Sequence, residues 1–142
     1  MTTTSKTQAK VFEYLNEEIR AGRGDLILPG SEHLSGVIKR YKEGGENKMH
    51  CHPNEDHTFY VLEGQGTFRL ESDENEVVVN KDEAVFLPKG TNYWFTSTGN
   101  TTLIILRVGT ETGSDRIIDG QLVKSNRTPE NGKYIPAKQL PF

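Results

Sequence analysis

Short strand-like runs alternating with turn signals constrain this chain more than any other feature. Eight such runs lie between residues 34 and 108, at 34–41, 49–52, 58–62, 67–71, 76–79, 84–87, 93–96 and 101–108. Between them stand Gly44-Gly45, Pro53-Asn54, Glu63-Gly64-Gln65-Gly66, residues 72–75, Lys81-Asp82, Pro88-Lys89-Gly90 and Gly99-Asn100. Evenly spaced strands with such punctuation predict an all-β sandwich or barrel. A chain of 142 residues with 33% hydrophobic residues is suited to one domain around one core. There is no internal repeat of solenoid period.

The flanks have another character. Residues 1–9 are small and polar and are expected to form a disordered tail. The barrel domain is expected over 10–110, with its core at 34–108, and 111–142 as an extension that packs on the barrel or on a partner. Val11, Leu15 and Ile19 recur at helical spacing, yet Val11-Phe12-Glu13-Tyr14 reads equally well as a strand. In the extension, Ile117-Ile118 and Leu122-Val123 predict a short hairpin about Asp119-Gly120. Pro129, Pro136 and Pro141 then predict an extended tail ending in Tyr134, Ile135, Leu140 and Phe142.

Charge and composition exclude several classes. A formal net charge of -3 argues against a nucleic-acid binder, which needs a basic patch. No apolar run approaches the roughly 20 residues of a membrane span. The amino-terminal stretch has no hydrophobic segment, so no secretory signal is expected. The single cysteine forbids an intrachain disulfide and suits a reducing cytoplasm.

The chemistry concentrates in residues 44–66, which hold three of the four histidines. His50 and His52 are two apart, so on an extended strand both aim to one side and Cys51 to the other. His57 shares the parity of Phe59 and Val61 on the next strand. If that strand folds back beside the first, His57 reaches the point where the other two converge. Three imidazoles in one place suit a divalent transition metal, one per chain, with His50, His52 and His57 as its ligands. The plainer alternatives are strand histidines held by ordinary hydrogen bonds, or a site in which Glu55 or Asp56 supplies an oxygen in place of His57. Cys51 reads as a small buried hydrophobe and His33 as a loop residue outside the site.

The same stretch resembles the first motif of the cupin family. Gly44, five residues, His50-Cys51-His52, four residues, His57, six residues and Gly64 fill its frame, with His57 where the family usually has Glu. Pro88-Lys89-Gly90 matches the turn of the second motif, whereas Tyr93 stands where its histidine ligand is usual. Asp82 and Ser97 replace its opening glycine and closing asparagine. The likeness spans 44–97, and strand patterning extends it to 34–108. It implies a double-stranded β-helix, or jelly roll, and a homodimer joined through sheet edges and a swapped N-terminal strand. It also implies a metal, iron first, with zinc, nickel, manganese or copper as alternatives. The first expectation is a dioxygenase acting on a chelating diketone, enol or aromatic small molecule. A non-redox lyase or isomerase, and a non-catalytic metal- or ligand-binding module, are the alternatives.

Tyr93 has three competing roles: metal ligand as phenolate, acid or base toward a substrate, or wall residue. Phe59, Val61, Phe86 and Phe95 are expected to line an apolar pocket, or simply to fill a small barrel. Trp94 has the opposite parity and should face away, toward a dimer contact. Arg40, Arg69 and Arg107 are each able to anchor a carboxylate, with surface solvation expected for most of them. No Ser/His/Asp set, phosphate loop or CxxC pair is present.

Overall fold

The computed structural model describes residues 9–14, 23–31, 33–46, 48–110, 115–124 and 137–141. The described residues are all strand, turn and loop. The elements are β1 (Val11–Tyr14), β2 (Arg23–Ile27), β3 (Ser35–Tyr41), β4 (His57–Glu63), β5 (Gln65–Leu70) and β6 (Glu76–Asn80). They continue as β7 (Ala84–Leu87), β8 (Tyr93–Ser97), β9 (Leu103–Gly109), β10 (Arg116–Ile118), β11 (Gln121–Val123) and β12 (Ala137–Leu140). No helix among the described residues is long and apolar enough to cross a membrane. The tail expected over residues 1–9 lies outside the described residues except for Ala9.

Two antiparallel sheets face each other, a five-stranded one in the order β2-β3-β9-β4-β7 and a three-stranded one in the order β6-β5-β8. Alternation decides what lies between them. On β3 the residues Val37, Lys39 and Tyr41 point in; on β9 it is Leu103, Ile105, Arg107 and Gly109; on β4 it is His57, Phe59 and Val61. From the opposite sheet Phe68, Tyr93 and Phe95 meet them. Phe68 stacks on Phe95 at 4.9 Å between ring centroids and meets Phe59 edge-on at 5.3 Å.

Phe86, expected in the pocket, is instead 59% exposed. Its register partner is Thr58, so it shares the outward face of the sheet, and its neighbour Leu87 points in. The run at 49–52 is not a regular strand either. It makes isolated bridges, His50 to Tyr93 on β8 and Cys51 to Ile117 on β10. It therefore lies along β8 and not beside β4. Gly45 permits this course, because a Cβ there would sit 2.1 Å from the Phe95 carbonyl oxygen. The backbone of Glu46 donates to that same oxygen at 2.9 Å.

The expected hairpin at 117–123 is present as β10 and β11, with Asp119 and Gly120 both at positive φ, the requirement of a two-residue primed turn. Val11–Tyr14 is a strand, and its partner here is β12 of the same chain. Leu15 and Ile19, the remainder of the helical alternative, lie outside the described residues.

The aromatic layer carries a measurable share of stability. Phe68→Ala is expected to cost about 3–5 kcal/mol, through lost apolar burial and the cavity left behind. The check is a lower urea midpoint with an unchanged m-value.

Candidate metal centre

Across the barrel, three short contacts assemble a cluster of buried polar groups. The segment carrying His50 and His52 is anchored to β8 by reciprocal backbone bonds, His50 N to Tyr93 O at 3.0 Å and Tyr93 N to His50 O at 2.8 Å. His57 opens β4 in the facing sheet and points inward. The rings of His52 and His57 then lie 4.5 Å apart, and those of His50 and His52 5.3 Å apart. Gly109, opposite His57 in the β4–β9 register, leaves room for this ring: a Cβ there would fall 2.7 Å from His57 Cδ2.

The tightest group of potential ligands among the described residues includes a carboxylate as well as histidines. The ligand atoms that come within 4.8 Å of one another belong to His52, Glu55 and His57, all buried. Nε2 of His57 donates to Glu55 Oε2 at 3.2 Å, and Nδ1 of His52 lies 3.5 Å from the same oxygen. The other carboxylate oxygen, Oε1, is buried with no hydrogen-bond partner among the described residues. His50 flanks this trio. Its Nδ1–H donates to the Lys48 carbonyl at 2.9 Å, and its ring packs on Tyr93 with centroids 4.5 Å apart. Glu55, weighed above as an oxygen donor in place of His57, lies beside His57 in this group.

The hydrogen bonds select tautomers. His52 Nδ1–H donates to the Asp115 carbonyl at 3.1 Å, leaving Nε2 as the lone-pair nitrogen, which accepts from the Tyr93 hydroxyl at 3.3 Å. All three imidazoles are held below their ordinary pKa. For His52, burial is the main cause, followed by neighbouring His57, His50 and Arg107, and the value falls to about 2. For His50, burial outweighs the Lys48 carbonyl and Glu46; for His57, it outweighs Glu55. Neutral imidazoles, next to a carboxylate oxygen lacking a donor, are what a divalent cation takes. The residues present fit such an ion.

The remaining candidates divide. Phe59, Val61 and Phe95 are fully buried in the core, and Tyr93 is 2% exposed against the histidines. Cys51 is buried, and His33 sits in an exposed turn. Trp94 faces away, its Nε1 donating to Asp73 Oδ1 at 2.8 Å beneath Arg69.

Arg107 departs from the surface role expected for most of the arginines, being 1% exposed inside the barrel, as is Lys39. Lys39 pairs with buried Glu46 at 3.2 Å. Strand parity was the available signal, since Lys39 shares a face with Val37 and Tyr41, and Arg107 with Leu103 and Ile105. The Asp115 carbonyl carried no side-chain signal at all.

The family profile of the cupin domain matches residues 37–109, just over half of the chain. No curated protein matches the sequence. Among solved structures, KdgF from Halomonas sp. superposes with a TM-score of 0.59 at 16% identity, covering 70% of this chain and 92% of its own. A cupin-superfamily sugar phosphate isomerase from Silicibacter pomeroyi gives 0.62 at 20% identity, covering 78% and 79%. Oxalate decarboxylase from Bacillus subtilis, described with Mn(II) centres, gives 0.55 at 13% identity, covering 63% of this chain and 24% of that one. At these identities the likeness is one of fold.

The depressed imidazoles make metal-free stability depend on pH. An unfolded histidine titrates near 6.5, so the buried neutral rings contribute fully above that pH and lose their contribution as pH falls below it. For His52 the loss continues toward pH 2, at up to about 1.4 kcal/mol per pH unit. Urea midpoints of metal-free protein should fall between pH 7.5 and 5. His52→Gln should make that fall shallower.

Proposed function

The chain belongs to the cupin family, and from that premise we propose that it is a divalent-metal-dependent enzyme acting on a small molecule. The observation that carries the reading is the buried His52–Glu55–His57 set with an undonated carboxylate oxygen. Two histidines and one carboxylate with open positions are the donor set of non-haem iron oxygenases. A dioxygenase acting on a chelating diketone or enol is therefore the first reading. When bound, iron(II) would supply both Lewis acidity and an electron source for dioxygen.

The chain's own residues supply position and protons. His50, its Nδ1 held by the Lys48 carbonyl, keeps Nε2 as a further donor beside the trio. The Tyr93 hydroxyl, 3.3 Å from His52 Nε2, holds a proton next to the place a substrate oxygen would occupy. Phe59 and Phe95, both fully buried, close the floor against water. A non-redox lyase or isomerase is the second reading, favoured by this same tyrosine placed as acid or base. The metal's identity follows from neither reading, and manganese, zinc, nickel and copper stand beside iron. The reading includes a homodimer, supported by Phe86, Tyr60 and Val108, which lie exposed on neighbouring strands of the outer sheet face.

Metal analysis by plasma mass spectrometry, after anaerobic loading with iron(II), should give about one ion per chain. His57→Ala or Glu55→Gln should weaken retention by about 100-fold or more, since changes outside the ligand set already cost about 10–100-fold. Unchanged metal content in either variant would overturn the donor set. Tyr93→Phe should keep its metal and lose turnover by about 10²–10⁴-fold. Oxygen uptake with iron and a diketone supports the first reading; turnover without dioxygen, with zinc or manganese, supports the second.

A further inference from the structure

A buried hydroxyl without a hydrogen-bond partner costs stability, because its desolvation is not offset. Ser35 Oγ is such a group: it is buried and has no partner among the described residues. Ser35 opens β3 with the inward parity of Val37, Lys39 and Tyr41, so its side chain turns into the barrel. An alanine there would fill nearly the same space without the cost.

Its location is specific. Ser35 pairs with Gly109 in the β3–β9 register, and Gly109 pairs with His57 in the β4–β9 register. The three residues form one row across the end of the five-stranded sheet, with serine and histidine on either side of glycine. A Cβ on Gly109 would fall 2.7 Å from Ser35 Oγ and 3.0 Å from His57 Nε2. The glycine therefore puts no side chain between the hydroxyl and the ring. A bound cation accounts for the undonated oxygen beside His57, Glu55 Oε1. It does not account for Ser35, since a neutral serine hydroxyl is not among the ligand types that select a transition metal. A hydroxyl is suited to donate to another oxygen.

We propose that Ser35 is a substrate-positioning residue whose hydroxyl donates to an oxygen of the small molecule bound beside His57. The proposal rests on the metal-centre reading above and adds an orientation to it: a chelating ligand turns one acceptor oxygen toward β3. A ligand with carbon in that place leaves the hydroxyl unpaired and is disfavoured.

The test uses cobalt(II)-loaded protein and acetylacetone, a chelating diketone, with binding followed through the visible cobalt bands. Ser35→Ala should keep about one cobalt per chain and weaken acetylacetone by about tenfold. The Tm of the metal-free variant should equal or exceed that of the wild type, because the hydroxyl it loses has no partner there. A merely structural serine would move Tm down with affinity, and that result overturns the proposal. Unchanged acetylacetone affinity also overturns it, since the hydroxyl is then satisfied by water. So does loss of cobalt from the variant, which would place Ser35 among the cation's own ligands, and so does a cobalt-loaded wild type that binds no acetylacetone. If the wild type takes up no cobalt, it is the metal-centre reading that fails, and the proposal falls with it.

Discussion

In–out alternation of side chains on β4 and β9 places His57, and the space its ring fills, in the candidate centre. On β4 one parity holds His57, Phe59 and Val61 inside, while the other sends Thr58, Tyr60 and Leu62 outward. Shifting β4 by one residue would move His57 to solvent and dissolve the cluster. Its register is therefore held from both sides, by β9 and by β7. Gly109 on β9 completes the arrangement by leaving the space that the His57 ring occupies.

The polar groups in the interior are arranged as linked pairs. Lys39 meets Glu46, which also accepts from the Tyr41 hydroxyl at 3.4 Å. Glu55 meets His57 and His52. Tyr93 joins the two sheets: its backbone bonds to His50, its hydroxyl reaches His52, and its ring touches the core at Phe59 and Phe68. Hydrophobic core and chemical centre thus share one residue. That is why Tyr93→Phe, which keeps the ring and removes only the hydroxyl, separates the two roles better than a truncation would.

The β10–β11 hairpin lies beyond the stretch matched by the cupin profile, yet it reaches the centre. Ile117 pairs with Cys51 by two backbone bonds, 3.1 and 2.8 Å long, and the Asp115 carbonyl takes the Nδ1 proton of His52. A backbone carbonyl sets the tautomer of a histidine 63 residues away in sequence. The identity of residue 115 is irrelevant to that bond, since any amino acid carries the same carbonyl.

Much of this was legible from the residues. Seven of the eight runs expected over 34–108, the turn at Asp119-Gly120, and the grouping of His50, His52 and His57 follow from spacing, because short-range geometry needs only local sequence. Parity alone would also have placed Lys39 and Arg107 inside. Long-range choices were not legible. The 49–52 run pairs with β8 and β10 instead of β4, since which backbone groups satisfy it depends on partners distant in sequence. Phe86 faces outward because its register against Thr58 decides the face, and hydrophobicity alone does not carry that information. Glu55 comes to lie beside His52 and His57 because the chain turns between Pro53 and His57, bringing a carboxylate to the place where these imidazoles meet. The sequence by itself determined the donor types and the alternating frame; tertiary structure decided which donors meet, because their convergence is a property of two sheets packed face to face.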